Sequence, residues 1–241
     1  MTSRGETAST EELRRLLAPA RYILWDLDGP ICRLFAGHPA SEVARELVQL
    51  IRRQGLGGLL TEEEGFYLDP QAVLLEVDKR HPDSDLITRL EDWLTQHELL
   101  AVPTALPTPY ADPLIRTWSG LGARFAITTN NSALAAASYI ETRHLEGCFP
   151  CIYGRTRNLS QMKPHPHSLL QALDALGADP SQALMLGDAG TDYQAAQELG
   201  VPFLGYARDD QKLRHLTHVG VQASHVVRSL EEVLVAITCP L

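Results

Sequence analysis

The sequence predicts an α/β protein: a parallel sheet covered by helices on both faces, interrupted by one inserted α-helical block. Three observations carry this. From residue 110 onward, short apolar runs alternate with stretches of helical periodicity. Three apolar runs end abruptly in polar groups, at Asp26, at Thr129 and at Gly187-Asp188, and ligands collect at such strand ends in parallel sheets. Residues 35–103 show helical periodicity and no convincing strand. The chain therefore divides into a core of residues 21–34 and 104–241, a helical cap of residues 35–103, and an N-terminal extension, residues 1–20, with one short helix.

Taken in order, residues 1–8 are small and polar and read as disordered. Ser9 and Glu12 have capping-box spacing, Leu13, Leu16 and Leu17 give the helix an apolar side, and Pro19 ends it. Residues 21–25 form a buried strand that stops at Asp26-Leu27-Asp28-Gly29-Pro30. Asp is depleted in strands, so two at a strand end need a reason. Continued extension would send Asp26 and Asp28 to the same side. Two close carboxylates repel unless a cation or a shared proton intervenes, and Mg²⁺ suits oxygen ligands beside a phosphate.

In the inserted block, Val43, Leu47, Leu50 and Ile51 share one helix face, and Gly55 stops it. Asp69 and Pro70 read as N-cap and first helical residue before Val73, Leu74 and Val77. A third helix opens near residues 83–85 and carries Leu86, Leu90, Trp93, Leu94 and His97. Residues 103–113 hold four prolines and form the return linker. Paired with residues 33–38, it is either a hinge or a stiff loop. Beyond it the reading gives a helix around Leu114 and Trp118, strands at 123–129, 151–153, 183–186, 201–206 and 226–227, and helices at 132–144, 166–176 and 191–199. A final helix repeats the capping-box spacing at Ser229 and Glu232.

Four pieces carry the chemistry. The first is the Asp26/Asp28 pair. The second is Ile127-Thr128-Thr129-Asn130, where a hydroxyl and backbone N–H groups at a helix start can hold phosphate oxygens, although a Thr/Asn turn and cap would look the same. The third is Lys163-Pro164, a fixed cation or an ordinary surface lysine. The fourth is Leu186-Gly187-Asp188 with Asp192 four residues on, where Asp192 also suits a helix N-terminus.

In this order the pieces resemble the motifs of the haloacid dehalogenase superfamily, over residues 21–210, and the fold implied is Rossmann-like. The resemblance implies a phosphoric monoester hydrolase working through an aspartyl-phosphate. It makes Asp26 the nucleophile, Asp28 the general acid and base, and Lys163 the fixed cation. Leu27 (through its amide), Thr129 and Asn130 would bind the transferring phosphoryl group. Mg²⁺ would be held by Asp26, Asp28 (through its backbone carbonyl) and Asp188, with Asp192 as a further ligand or an orienter. Dehalogenases of the superfamily lack the second aspartate of the first motif; Asp28 favours phosphoester hydrolysis. Pro30 departs from the family's usual Thr or Val and removes a backbone donor. The alternatives are a phosphomutase using the same intermediate and a non-catalytic binding protein retaining the fold. The cap would set substrate choice, with Arg45, Arg52, Arg53, Lys79 and Arg80 as candidate anion contacts or merely solvated charges.

Composition narrows the partners. Lys plus Arg 21 against Asp plus Glu 30 gives −9 over 241 residues, which argues against nucleic acid. No apolar run suits a signal or a bilayer span. Four cysteines without an export signal suggest reduced thiols in a cytoplasm. The expected partner is a small phosphorylated substrate, for a monomer or homodimer. Cys148 and Cys151 have CxxC spacing near His144 but lack a fourth ligand for zinc. His165 and His167 read as loop residues or weak substrate contacts. Cys32, close behind the first motif, is a candidate for sensitivity to thiol reagents.

Overall fold

A computed structural model describes residues 7–238. Its elements in chain order are α1 (Thr10–Leu17), β1 (Tyr22–Trp25), β2 (Cys32–Arg33), α2 (Ala40–Arg53), α3 (Pro70–Arg80), α4 (Asp85–Ala101), β3 (Leu106–Pro107), α5 (Ala111–Gly120), β4 (Arg124–Ser132), α6 (Ala133–Thr142), β5 (Cys151–Arg155), α7 (His167–Leu176), β6 (Ala183–Gly187), α8 (Gly190–Glu198), β7 (Phe203–Tyr206), α9 (Asp210–His218), β8 (Val226–Val227) and α10 (Leu230–Thr238).

The main sheet has six strands in the order β5-β4-β1-β6-β7-β8, and every pairing is parallel. Side chains alternate across it as the strand period requires. Ile23, Trp25, Phe125, Ile127, Leu184 and Leu186 join one core layer, with Leu13 and Leu17 of α1 and residues of α5, α6 and α10. Leu24, Ala126 and Met185 point into the opposite layer, against α7, α8 and Leu216 of α9. Burial on both faces explains why these strands are continuous apolar runs. Trp25, Trp118 and Phe125 pack edge to face in the first layer.

The local stop and start signals act as the sequence predicts. Ser9 and Glu12 form the capping box of α1, Asp69 caps α3 with Pro70 in its first turn, and α4 starts within the expected residues 83–85, where the structure makes Ser84 the cap. The reading of residues 1–8 as disordered falls, for 1–6, outside the described residues. Ala8 corrects it at its edge: it is buried and donates its N–H to Val226 O at 3.0 Å. Two elements escape the sequence reading, the helix α9 and the ribbon in which β2 pairs antiparallel with β3.

Helices α2, α3 and α4 lie between β2 and β3 in the chain and share a separate apolar cluster of Val43, Leu47, Ile51, Val73, Leu74, Leu90 and Leu94. Leu159 and Met162, from the loop before α7, complete that cluster. The three helices thus pack on one another and on the segment that leads to Lys163. No helix among the described residues is long and apolar enough to cross a membrane.

Candidate active site

The order β4-β1-β6 puts the carboxyl ends of three parallel strands side by side. Trp25 is level with Ile127 on one side and Leu186 on the other, so Asp26 emerges beside Thr128 and Gly187. After Trp25 the chain turns: the Ile31 and Cys32 amides donate to Leu27 O, and Gly29 N–H donates to Cys32 O. Extension therefore does not carry through Asp28, yet both carboxylates reach the same cavity. Two glycines make room. A Cβ on Gly29, whose φ is +130°, would lie 2.4 Å from Asp188 Cγ, and one on Gly187 would lie 2.5 Å from Asp192 Oδ2. Glycine is what lets these backbones approach the carboxylates.

Lys163 is the hub. Its Nζ donates to Asp26 Oδ1 at 2.9 Å, to Asp192 Oδ1 at 2.5 Å and to Thr128 O at 2.8 Å, so all three ammonium protons are placed. Burial works against its charge, but Asp192 and Asp26 outweigh that and hold its pKa above the ordinary lysine value. Asn130 fixes the lysine from behind, its Oδ1 accepting Lys163 N–H at 2.8 Å and its Nδ2 donating to Lys163 O at 3.0 Å. The side chain of Asn130 is thus a clamp on Lys163. Thr129, buried, lines the cavity and exchanges hydrogen bonds with Asn131. The Leu27 side chain sits in the core, which leaves only its backbone for a ligand.

Asp26, Asp188 and Asp192 each offer an oxygen, all within 4.8 Å of one another. Both oxygens of Asp192 are taken, Oδ1 by Lys163 and Oδ2 by the N–H groups of Asp188 and Ala189. It orients its neighbours. Among the described residues, Asp26 Oδ2 and Asp188 Oδ1 have no protein donor. Two hard oxygens free on adjacent carboxylates fit a small divalent cation such as Mg²⁺. Asp28 stands outside this trio, its Oδ1 accepting Leu34 N–H at 2.9 Å.

Burial raises these carboxyls above their ordinary value. Asp26 is pushed up to about 7, chiefly by desolvation, with Lys163 pulling it down and Asp192 and Asp188 pushing it up. Asp28 reaches about 6, again mainly by burial, against the Leu34 amide. Asp188 reaches about 6 by burial, opposed by Lys212. A carboxyl poised near neutrality is suited to passing a proton.

The sequence reading missed Lys212, on α9, whose Nζ lies 2.6 Å from Asp188 Oδ2. Only Asp209 at the helix N-cap signals that helix, through its bond to the Lys212 amide. The reading also missed Arg155 at the end of β5. It is buried against Glu91 and Glu98 of α4 and donates to Asn130 O at 3.1 Å. Glu98 in turn accepts from Asn131 Nδ2 and Ser132 N–H, so α4 braces the end of β4, which carries Thr129 and Asn130.

Other candidates lie elsewhere. None of Arg45, Arg52, Arg53, Lys79 and Arg80 lines the cavity; Lys79 and Arg80 pair with Glu76, and Arg80 also with Glu64. His165 and His167 contact each other outside it. Cys148 and Cys151 are half-buried free thiols. Cys32 is fully buried, and burial together with Asp28 and Asp26 drives its thiol pKa well up. That removes the expectation of sensitivity to thiol reagents, which attack an accessible thiolate.

Known proteins resemble this chain in sequence and fold. The haloacid dehalogenase-like hydrolase family matches residues 20–200. A phosphoglycolate phosphatase of Rhodospirillum rubrum is 31% identical over 131 residues, 53% of this chain and 54% of that enzyme. One from Aquifex aeolicus is 23% identical over 75% of this chain and 81% of its own length. The chain thus spans about half of the first relative and most of the second. Among solved structures, a haloacid dehalogenase-like hydrolase of Streptococcus pneumoniae aligns with TM-score 0.65 at 19% identity, covering 92% of this chain and 100% of that one. CbbY from Rhodobacter sphaeroides, in complex with phosphate, aligns with TM-score 0.64 at 19% identity, over 89% and 96%.

Proposed function

Because the chain belongs to the haloacid dehalogenase-like hydrolases, we propose that it is a Mg²⁺-dependent phosphatase of a small phosphorylated metabolite, acting through an aspartyl-phosphate on Asp26. One observation carries the reading: Asp26 is held by Lys163 at 2.9 Å with its second oxygen unpaired, at the floor of a cavity of about 380 Å³. The relatives named as phosphoglycolate phosphatases support a phosphomonoester as substrate class.

In this mechanism a carboxylate oxygen of Asp26 attacks phosphorus in line, the bond from phosphorus to the substrate alcohol breaks, and Asp28 gives its proton to the departing oxygen. Water then attacks the same phosphorus, Asp28 takes the water's proton, and the bond to Asp26 breaks to free inorganic phosphate. Lys163 keeps Asp26 oriented and offsets charge in both steps. Thr129 and the backbone N–H groups beside it receive phosphoryl oxygens, while Asn130 sets the height of Lys163. Asp26, Asp188 and the Asp28 carbonyl would hold Mg²⁺, which when bound supplies charge neutralisation and alignment of the phosphoryl group. Asp192 would keep Lys163 and the Asp188 backbone in place. Residues 35–103 would act as a cap over the substrate, excluding water.

The test is release of inorganic phosphate from a panel of phosphorylated metabolites, with Mg²⁺ and with EDTA, beside Asp26→Asn. Release that needs both the metal and Asp26 is the expected result. Release that survives in Asp26→Asn removes the covalent mechanism, and release from no ester removes the phosphatase.

A further inference from the structure

The cavity has two unlike halves. Its floor is charged: Asp26, Asp28, Asp188, Lys163 and Lys212 all line it. The wall facing them, from residues 35–75 with Met162, is apolar, with Phe35, Leu68, Ala72, Leu75 and Met162 along it. Leu68 is 72% exposed, a large apolar side chain with little protein cover at the place a substrate skeleton would pass. Two polar groups interrupt this wall. Asp69 caps α3, accepting Gln71 N–H at 2.9 Å. The Gln71 side-chain amide has no protein hydrogen bond among the described residues.

A second anion on a substrate would find no cation there. Lys163 and Lys212 are the only cations along the cavity among the described residues, and both sit on its floor against carboxylates rather than on this wall. Lys163 uses its three donors on Asp26, Asp192 and Thr128 O, and Lys212 is paired with Asp188. A carboxylate or second phosphate on the leaving group would instead face the Asp69 carboxylate across an apolar wall, and like charges there disfavour binding. The chain's −9 adds no long-range attraction. Gln71, by contrast, offers both a donor and an acceptor to a hydroxyl.

We propose that the wall of residues 35–75 selects phosphomonoesters whose leaving alcohol is uncharged: its carbons pack on Phe35, Leu68 and Leu75, a hydroxyl bonds to Gln71, and esters bearing a second anion are rejected. The proposal rests on the phosphatase reading and narrows it.

The experiment compares kcat/KM for three two-carbon esters, 2-hydroxyethyl phosphate, 2-phosphoglycolate and 2-aminoethyl phosphate, with p-nitrophenyl phosphate alongside. The first two differ only in a hydroxymethyl against a carboxylate. The hydroxyethyl ester is expected to exceed phosphoglycolate by at least about 10-fold, well below what a site built around its substrate's polar groups can reach. In Gln71→Arg, which places a cation on the wall, the ratio is expected to move toward phosphoglycolate by about 10-fold or more. A ratio taken within one protein does not depend on how much of it is folded. Phosphoglycolate turned over as well as the hydroxyethyl ester would overturn the proposal. So would a preference for the aminoethyl ester, which would make Asp69 the reader of a cation. Hydrolysis of p-nitrophenyl phosphate with that wrong order sinks the proposal alone; hydrolysis of none of the four sinks the phosphatase reading and the proposal with it.

Discussion

Lys163 and Arg155 are both buried cations set between carboxylates from distant segments, yet their surroundings differ in one respect. Every donor of Arg155 is matched. Nε meets Glu91, Nη1 meets Glu98 and Asn130 O, and Nη2 meets Glu98 and Thr95. Glu98 fills its remaining capacity with Asn131 and Ser132. Lys163 is equally saturated, but its partner Asp26 keeps one oxygen bare toward the cavity, as does nearby Asp188. Burial is compensated around Arg155 and left partly uncompensated around Lys163, which is why Asp26 rises to about 7. A sealed ion cluster braces; one with a missing partner is ready for a ligand.

The sharpest break of this comparison comes from the proposed nucleophile. Asp26→Asn is expected to lower phosphate release by at least ~10³-fold while leaving the thermal midpoint unchanged or higher, because a buried charge is removed. Retention of a tenth of the activity would end Asp26's assignment. Next is Lys163→Met, expected to cost ~10²–10³-fold in kcat and to destabilise the fold, since Asp26 and Asp192 lose their cation.

Arg155→Met tests the other cluster. Glu91 and Glu98 would stay buried without a cation, and urea denaturation is expected to show a loss of ~3–5 kcal/mol. Arg155→Lys should recover only part of it, because an ammonium cannot reproduce the fork that grips Glu98. Wild-type stability in Arg155→Met would show that α4 is not held to the sheet by these bonds.

A smaller effect follows from pH. Asp26, Asp28 and Asp188 sit at about 7, 6 and 6, raised by burial. The folded chain therefore holds protons that the unfolded chain has released above the usual carboxylate range. That contribution to stability is full below about pH 4 and lost as pH rises toward 7. In EDTA the thermal midpoint attributable to these groups should fall from pH 5 to pH 7.5, and the fall should flatten in Asp188→Asn. Mg²⁺ should restore most at the upper end, where the carboxylates are ionised. A wild-type slope identical to that of Asp188→Asn would contradict this.

The smallest effect expected is in Lys212→Met. Its ammonium is part-exposed beside Asp188 Oδ2, so removing it should tighten Mg²⁺ by only about 2–5-fold, read by calorimetry, in line with the modest worth of such pairs. Weaker metal binding in the variant would show that Lys212 supports the site rather than competing for Asp188.

The sequence by itself determined the six strands of the main sheet, most helices and the floor residues Asp26, Asp28, Lys163 and Asp188, because those signals are local. An apolar run that stops at Asp26, at Thr129 or at Gly187-Asp188 is legible within ten residues, as are the caps Ser9 and Asp69. Helix α9 was illegible because Leu213 and Leu216 give it too thin an apolar stripe, and Lys212 was lost with it. Nothing local along α4 sets Glu91 and Glu98 apart from solvated charges. Only the tertiary structure sets them against Arg155, 64 and 57 residues away, and only it brings Asp69 and Gln71, at a legible helix start, to the cavity that Asp26 lines. A cap or a strand end is written in neighbours along the chain, whereas an ion pair between helix and sheet depends on how those elements pack, which no local pattern encodes.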